Sequence, residues 1–481
     1  MLTTLVASLV ANTDKLKRPN VLFIAIDDLR TELGCYGASH IKSPNIDRLA
    51  ESGIRFSKAH VQQAICMASR ASIMSGLRPE KRKIYTGESV TDLIPDVVTL
   101  NKFFANNGYT IASCGKIYHF GADTIHQFGD AEMTPDLKTT GRGYIAADSI
   151  AKIKRNKAHH RGPAYESADV SDTTYKDGIN AHNAVERMAE LSQEDAPFFM
   201  AVGFSKPHLP FVAPKKYWDL YPEETISMPE VRKHPENTSK YVLPTSGELT
   251  NYYGMPNKYS AIDEATTLTL RRGYYACVSY VDAQVGKLLD QVKALGLEDN
   301  TIIVLWGDHG FKLGDYSSWC KWSNLKIDTN IPLIFRIPGG KQNKVSHTPV
   351  EALDIYPTLA ELCGLEMPGH LEGQSIVRNL TNPEKTEART VETIWPHYRK
   401  NYKRVVMGFS AKDARYNYVE WVQFNSGEIL AKELYDHKKD PMETVNVIAD
   451  PHYAEVITRL SQKTSEIKAG ADHRHALNQA K

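Results

Sequence analysis

Five short apolar runs constrain this chain more than any other feature. They are "NVLFIAI" (20–26), "YTIASC" (109–114), "PFFMAVGF" (197–204), "TIIVLW" (301–306) and "PLIFRI" (332–337). Each is nearly continuous rather than alternating, so each predicts a strand buried on both faces. A sheet of that kind needs helices above and below it, and helical patterns do lie between the runs. The clearest covers about 275–295, where Val278, Val281, Val285, Leu288, Leu289, Val292 and Leu295 form one stripe that Gly296 ends. The alternation predicts an α/β domain with a large, mostly parallel central sheet flanked by helices.

Two stretches, 120–175 and 222–265, are rich in Gly, Pro, Asn, Ser and charge. They read as long surface insertions, where substrate-shaping loops sit. From about 376 the texture changes. "NLTNPEKTEART" reads as a linker, "RVVMGFS" and "RYNYVEWVQF" as adjacent antiparallel strands, "ELYDHKKDPMETVNV" as a strand and turn, and about 453–468 as a last helix. The expected division is a catalytic domain over 1–375 and a small C-terminal α+β subdomain with an antiparallel sheet over 376–481.

Among the 481 residues the formal net charge is only +1, which argues against a dedicated nucleic-acid binder. No apolar run reaches the roughly 18–20 residues of a membrane span. The opening "MLTTLVASLV" has about the length of a signal-peptide core but lacks its basic start. The expected location is periplasmic or secreted. Six cysteines, at 35, 66, 114, 277, 320 and 363, include no CxxC pair, so a zinc ribbon or a disulfide scaffold is not expected.

Charged residues follow the apolar runs directly. Asp27 and Asp28 come after the first, Asp308 and His309 after the fourth. In open α/β sheets, ligands bind beyond the carboxyl ends of the strands. Three carboxylates and an imidazole there form a cage for a hard cation, Ca²⁺ or Mg²⁺ rather than zinc, with the imidazole a ligand or a neighbour. "GKIYHFG" offers Lys116 and His119, three apart, to one anion. "SKPHLPF" fixes His208 between prolines. Lys321 lies 13 residues after Asp308. Taken singly, each is as readily a turn, a cap or a surface residue. Cys66, four residues before Arg70, reads as a buried thiol or as a thiolate nucleophile beside an arginine.

The order of these blocks resembles one family. "C-x-A-S-R-x-x-x-x-S-G", from Cys66 to Gly76, is similar to the signature of the type I, formylglycine-dependent sulfatases, usually C-x-P-S-R-x-x-x-x-T-G. Ala68 replaces the usual proline, a change the family's maturation machinery accepts. "PNVLFIAIDDLR", "GKIYHFG", "KPHLPF", "DHGFKLGDYSSWCKWS" and "ELYDHKKDPMETVN" resemble the family's further blocks, in its order. "LGCYG", "SPNID", "QQAIC", "VSYVDAQVGKLL" and "IPLIF" bring the likeness to the iduronate-2-sulfatase subgroup, over about 18–365 and again near 405–447. His309, where many sulfatases carry Asn, points the same way.

The resemblance implies an alkaline-phosphatase-like fold and hydrolysis of a sulfate ester. It implies that Cys66 is converted to formylglycine by a formylglycine-generating or anaerobic maturase. One Ca²⁺ would be held by Asp27, Asp28, Asp308, His309 and the group at position 66. Arg70, Lys116 and Lys321 would stabilise sulfuryl oxygens, His208 would protonate the leaving alcohol, and His119 would remove a proton in the second half-reaction. The substrate implied is a sulfated sugar, a uronic acid 2-O-sulfate or another sugar sulfate in a glycosaminoglycan or algal polysaccharide. Phe311 and Tyr316 stand where the subgroup has Trp and His, in a loop expected to line the substrate. The competing readings are a phosphodiesterase or phosphonate monoester hydrolase of the same superfamily, and a non-catalytic binder of sulfated glycans.

Overall fold

The first apolar run forms strand β1 (Asn20–Asp27), in which all eight residues are buried. Its continuity divides between two cores because side chains alternate across a sheet. Leu22, Ile24 and Ile26 pack on one face with Met200, Val202, Val281 and Val285. Val21, Phe23 and Ala25 pack on the other with Phe199, Trp306 and Leu359. The computed structural model describes residues 18–82, 84–85, 89–119, 132–133, 143–397, 406–424 and 426–471.

The remaining strands of the central sheet are β2 (Ile54–Phe56), β3 (Thr110–Gly115), β4 (Glu132–Met133), β5 (Phe198–Pro207), β6 (Thr301–Gly307), β7 (Leu333–Arg336) and β8 (Lys344–Ser346). Their order is β8-β2-β7-β6-β1-β5-β3-β4. β1 runs parallel to β5 and β6, and β3 parallel to β5. β7 runs antiparallel to both of its neighbours. The sheet is therefore mostly parallel with helices on its faces, as the apolar runs predict.

The long helix spans Glu264–Ala294 and starts eleven residues before the apolar stripe. Asp263 caps it, accepting from the Thr266 N–H at 2.7 Å. Its first turns carry Thr and Arg, which mask the periodicity in the sequence. The C-terminal sheet comprises β9 (Val391–His397), β10 (Val406–Lys412), β11 (Tyr416–Gln423) and β12 (Ile429–Asp436), all antiparallel. The helix Ala454–Gly470 covers it through Leu460 and Ile467. β9 had no strand signal; it bridges Gln63 through Ile394, just upstream of Cys66.

Two expectations are refined. The stretches read as surface insertions are largely at the surface where they are described, but they are pinned by sparse anchors: Tyr144, Ala164, Tyr175, Leu249, Tyr252 and Tyr259 are buried in the same core as β1. Their polar composition hid a sparse set of aromatic anchors. The expected linker is likewise anchored. Asn379 and Leu380 are buried in a short helix, and Arg389 pairs with Asp354 at 2.6 Å. The signal-peptide reading of residues 1–10, and most of 120–142, lie outside the described residues.

Candidate active site

Four adjacent strands, β6, β1, β5 and β3, bring their carboxyl ends together. Asp27 ends β1. Asp28 follows it at φ 59°, a left-handed conformation that costs a non-glycine residue roughly 1 kcal/mol or more. Two contacts over-determine it: its N–H donates to Asp308 Oδ1 at 3.0 Å, and its carbonyl accepts from the Tyr274 hydroxyl at 2.8 Å. Asp308 follows β6, and its own N–H returns to the Ile26 carbonyl at 3.2 Å. Lys116 follows β3 and places Nζ 2.5 Å from Asp27 Oδ2. The turn into Lys116 requires glycine. Gly115 has φ 84°, and a Cβ there would stand 2.1 Å from the Gly203 carbonyl oxygen.

Cys66 opens the helix Cys66–Ser75, which is interior on nearly every side. Its small residues let it lie against the strand ends, and Ser69 Oγ donates to the Asp308 carbonyl at 2.5 Å. Arg70 is fully buried. Nε meets Asp308 Oδ2 at 2.8 Å, Nη2 reaches Asp27 Oδ1 at 3.5 Å, and Nη1 donates to the carbonyls of Lys116 and Ile117. Cys66 Sγ lies 3.2 Å from His309 Nε2 and 3.8 Å from Asp28 Oδ1. His309 Nδ1 lies 2.9 Å from the Gly310 carbonyl, which can only accept. Nδ1 is therefore the donor to that carbonyl, and Nε2 is the nitrogen that faces Cys66 and the carboxylates.

Lys321 completes the cluster from a distorted loop. Tyr316, Ser317, Cys320 and Trp322 all have positive φ, between 55° and 87°. Lys321 Nζ meets both Asp28 oxygens, at 3.0 and 3.1 Å, and Glu248 Oε2 at 3.0 Å. Glu248 Oε1 in turn meets His208 Nε2 at 3.1 Å and Arg161 at 3.7 Å. His208 Nδ1 lies 2.6 Å from the Leu209 carbonyl. Both ring nitrogens thus face acceptors, which requires a proton on each. Glu248 was not singled out in the sequence, where "SGELTN" carries no motif.

Burial and neighbouring charge oppose one another at some of these groups and reinforce one another at others. Burial alone would raise Asp27, but Lys116, His208 and Arg70 hold it well below the carboxylate range. Asp308 is raised, by burial first and then by the charge of Asp27. Burial, then Asp27, pushes the Cys66 thiol far up. Burial and the neighbouring Lys116 bring His119 down to about 3, so its ring is neutral. For His208, burial is outweighed by Glu248 and then Asp28, and the net shift is upward. Glu248 is lowered despite burial, by His208 and Lys321.

Two overlapping sets of ligand atoms lie within 4.8 Å of one another: Asp28, Cys66, Asp308 and His309; and Asp27, Asp28, Cys66 and His208. Carboxylate oxygens with one imidazole nitrogen fit a hard divalent cation. The two aromatic residues expected to line the substrate are interior. Phe311 is 0% exposed, stacks on Tyr274 at 5.6 Å and lies under the Lys321 ammonium. Tyr316 is 3% exposed, packs with Val242, Leu243 and Tyr435, and donates its hydroxyl to the Met442 carbonyl.

The sulfatase family model matches residues 19–365, and the model of the N-sulphoglucosamine sulphohydrolase C-terminal region matches 314–470. Human (Homo sapiens) iduronate 2-sulfatase is 30% identical, covering 90% of this chain and 91% of its own. A solved structure in complex with D-glucosamine-2-N,6-O-disulfate superimposes with a TM-score of 0.73 at 22% identity, over 94% of this chain and 98% of that one. A phosphonate monoester hydrolase from Silicibacter pomeroyi gives 0.76 at 22%, over 95% and 96%. The strand-end carboxylates, the helix that opens on Cys66 and the family match over most of the chain agree: this protein belongs to the sulfatase family and is a sulfuric ester hydrolase.

Proposed function

We propose that this enzyme hydrolyses sulfate esters of a sulfated carbohydrate, a uronic acid 2-O-sulfate or another sugar sulfate in a glycosaminoglycan or algal polysaccharide. The observation that carries the reading is the position of Cys66, at a helix start beside His309 and Asp28 and among buried carboxylates. The likeness to iduronate 2-sulfatase supports the sugar class. Cys66 is proposed to be matured to formylglycine by a formylglycine-generating or anaerobic maturase, in a periplasmic or secreted protein. The functional division proposed is a catalytic part over 1–375 and an accessory part over 376–481.

Asp27, Asp28, Asp308 and His309, with the group at position 66, would hold one calcium ion. When present, hydrated formylglycine and the cation together supply a hydroxyl nucleophile of lowered pKa. The chain's own residues do the rest. Lys116, Lys321 and Arg70 present positive charge to the sulfuryl oxygens, fixed in place before reaction. Arg70 also holds Asp27 and Asp308 against each other, so the carboxylates keep one geometry. His208, protonated on both nitrogens, donates the Nε2 proton to the leaving sugar alcohol. Glu248 keeps that ring charged and oriented, as a positioning residue. His119, neutral, accepts a proton at its ring when the second hydroxyl at position 66 is deprotonated.

The test is sulfate release from a panel of defined heparan, dermatan and algal sulfated oligosaccharides, run beside an aryl sulfate and an aryl phosphodiester. Release from at least one oligosaccharide, faster than phosphodiester cleavage, is expected. If every oligosaccharide stays intact while a small non-sugar sulfate is cleaved, the carbohydrate assignment fails. Faster phosphodiester cleavage would favour the superfamily's phosphodiesterases or phosphonate hydrolases. Tryptic peptide mass across residue 66 tests the maturation directly.

A further inference from the structure

A second charged cavity, of about 510 Å³, opens between the catalytic sheet layers and the C-terminal sheet. It shares no residue with the cluster around Cys66. One wall comes from Lys58, His60 and Lys326, the other from the β10–β11 turn and from His437 and Lys438 after β12. The volume lies within the range of small-molecule sites, roughly 300–1,000 Å³.

Its charges do not cancel. The lining carboxylate of Asp413 is taken by Arg459 at 2.5 Å, and Arg415 is taken by Asp436 at 2.6 Å. His437 is taken by Glu443 at 2.8 Å. That leaves Lys58, Lys326 and Lys438, for which no carboxylate stands in ion-pair contact among the described residues. Lys58 Nζ is fixed by the Ala414 carbonyl at 2.6 Å, a neutral acceptor, and the Asp413 carboxylate, already paired with Arg459, offsets its charge only in part. The crowding has electrostatic consequences. Burial, then the charge of Lys326, lowers Lys58. Burial, then Lys412, His437 and Lys326, holds His60 far below its usual range. Like charges gathered at a concave, partly desolvated surface raise one another's energy, and an anion placed among them relieves it.

We propose that this cavity is a second binding site, for a sulfate group, either free or carried on a sugar. Several ammonium donors converging on one concavity suit a tetrahedral oxyanion, which accepts from several directions at once. The choice of sulfate over other oxyanions rests on the proposed function; the existence of an anion site rests on the cavity alone. A sugar-borne sulfate held here would anchor a polymer at a distance from the reacting ester.

The experiment is calorimetric titration of the full chain, as Cys66→Ala to prevent turnover, at low ionic strength. Sodium sulfate is one ligand and a 2-O-sulfated disaccharide the other. Two binding events are expected. Lys58→Met/Lys326→Met should abolish one of them or weaken it about tenfold or more, the scale of charge-assisted hydrogen bonds, and leave the other intact. Lys326→Met alone, where the lysine side chain makes no hydrogen bond among the described residues, should weaken the same event with an unchanged thermal midpoint. Loss of a disaccharide event assigns the site to sugar-borne sulfate; loss of a sulfate event alone assigns it to the free anion. Should the catalytic assignment itself fail, the parent would show one event and the double variant none. Identical titrations of parent and both lysine variants, with either ligand, would overturn the proposal.

Discussion

The two sides of the candidate active site reach it by different routes. Asp27, Asp28, Asp308 and Lys116 stand at the ends of regular strands, and Cys66 and Arg70 on the first turns of a buried helix. His208, Glu248 and Lys321 arrive from loops, one of them distorted by four positive-φ residues. The strand-end side is sealed: the Arg70 and Asp308 side chains are 0% exposed. The loop side meets solvent, with His208 22% and Glu248 11% exposed. The difference separates two tasks. Charges that must be assembled once, against strong repulsion, belong on the rigid sheet. Groups that must exchange protons with a departing molecule belong where water and substrate enter.

Substitutions should therefore act differently on the two sides. The largest effect is expected at the helix start. Cys66→Ala or Cys66→Ser should reduce sulfate release to background, a loss of at least about 10⁴-fold, without unfolding the chain. Normal turnover in Cys66→Ala would remove the nucleophile from the mechanism. Arg70→Met should be next, and should be seen in stability as well as rate. It leaves Asp27 and Asp308 buried without their shared cation, a loss of about 3–5 kcal/mol in denaturant unfolding. If Arg70→Met folds with parental stability, the strand-end side is not held together by charge.

The same divide governs what could be read in the sequence. Continuous apolar runs announced β1, β3, β5 and β6, and a strand end followed at once by Asp-Asp or Asp-His announced where its carboxylates would stand. Periodicity reports such residues because the backbone there is regular. Glu248 lies in a stretch whose composition resembles a surface loop, and its place is set by long-range contacts with Lys321 and His208. No local pattern encodes that. β9 was missed because its sequence includes a proline, which speaks against a strand interior, and because its bridge to Gln63 comes from far along the chain. Tyr316 was expected to line the substrate because it stands where the subgroup has His. Its ring lies instead among Val242, Leu243 and Tyr435, which come from distant parts of the chain.

On the loop side, the sharpest test is a shift in pH dependence rather than a loss of fold. Burial alone would lower His208; the Glu248 carboxylate, followed by Asp28, outweighs it and raises the pKa. A protonated His208 is needed to donate, so activity is present below that pKa and lost as pH rises through it. Glu248→Gln keeps a hydrogen-bond acceptor and removes the charge. The alkaline limb of kcat/KM should move to lower pH, and kcat near neutrality should fall about tenfold. Denaturant stability should change by less than about 2 kcal/mol. A fall in kcat with an unmoved alkaline limb would make Glu248 a packing residue and blur the separation between the two sides.

The smallest effect is expected at Tyr316, where it decides how far the loop side extends. Its ring lies with Val242, Leu243 and Tyr435, and its hydroxyl is committed to the Met442 carbonyl. Tyr316→Phe removes that one donor and no packing surface. The expected cost is about 1 kcal/mol of stability, with kcat and KM within about twofold of the parent on any sulfated substrate. A raised KM without a stability loss would mean that the hydroxyl touches substrate. Parental kinetics with lowered stability would leave Lys321 as the point where this loop meets the reaction, and Tyr316 as part of what clamps the loop to the C-terminal sheet behind it.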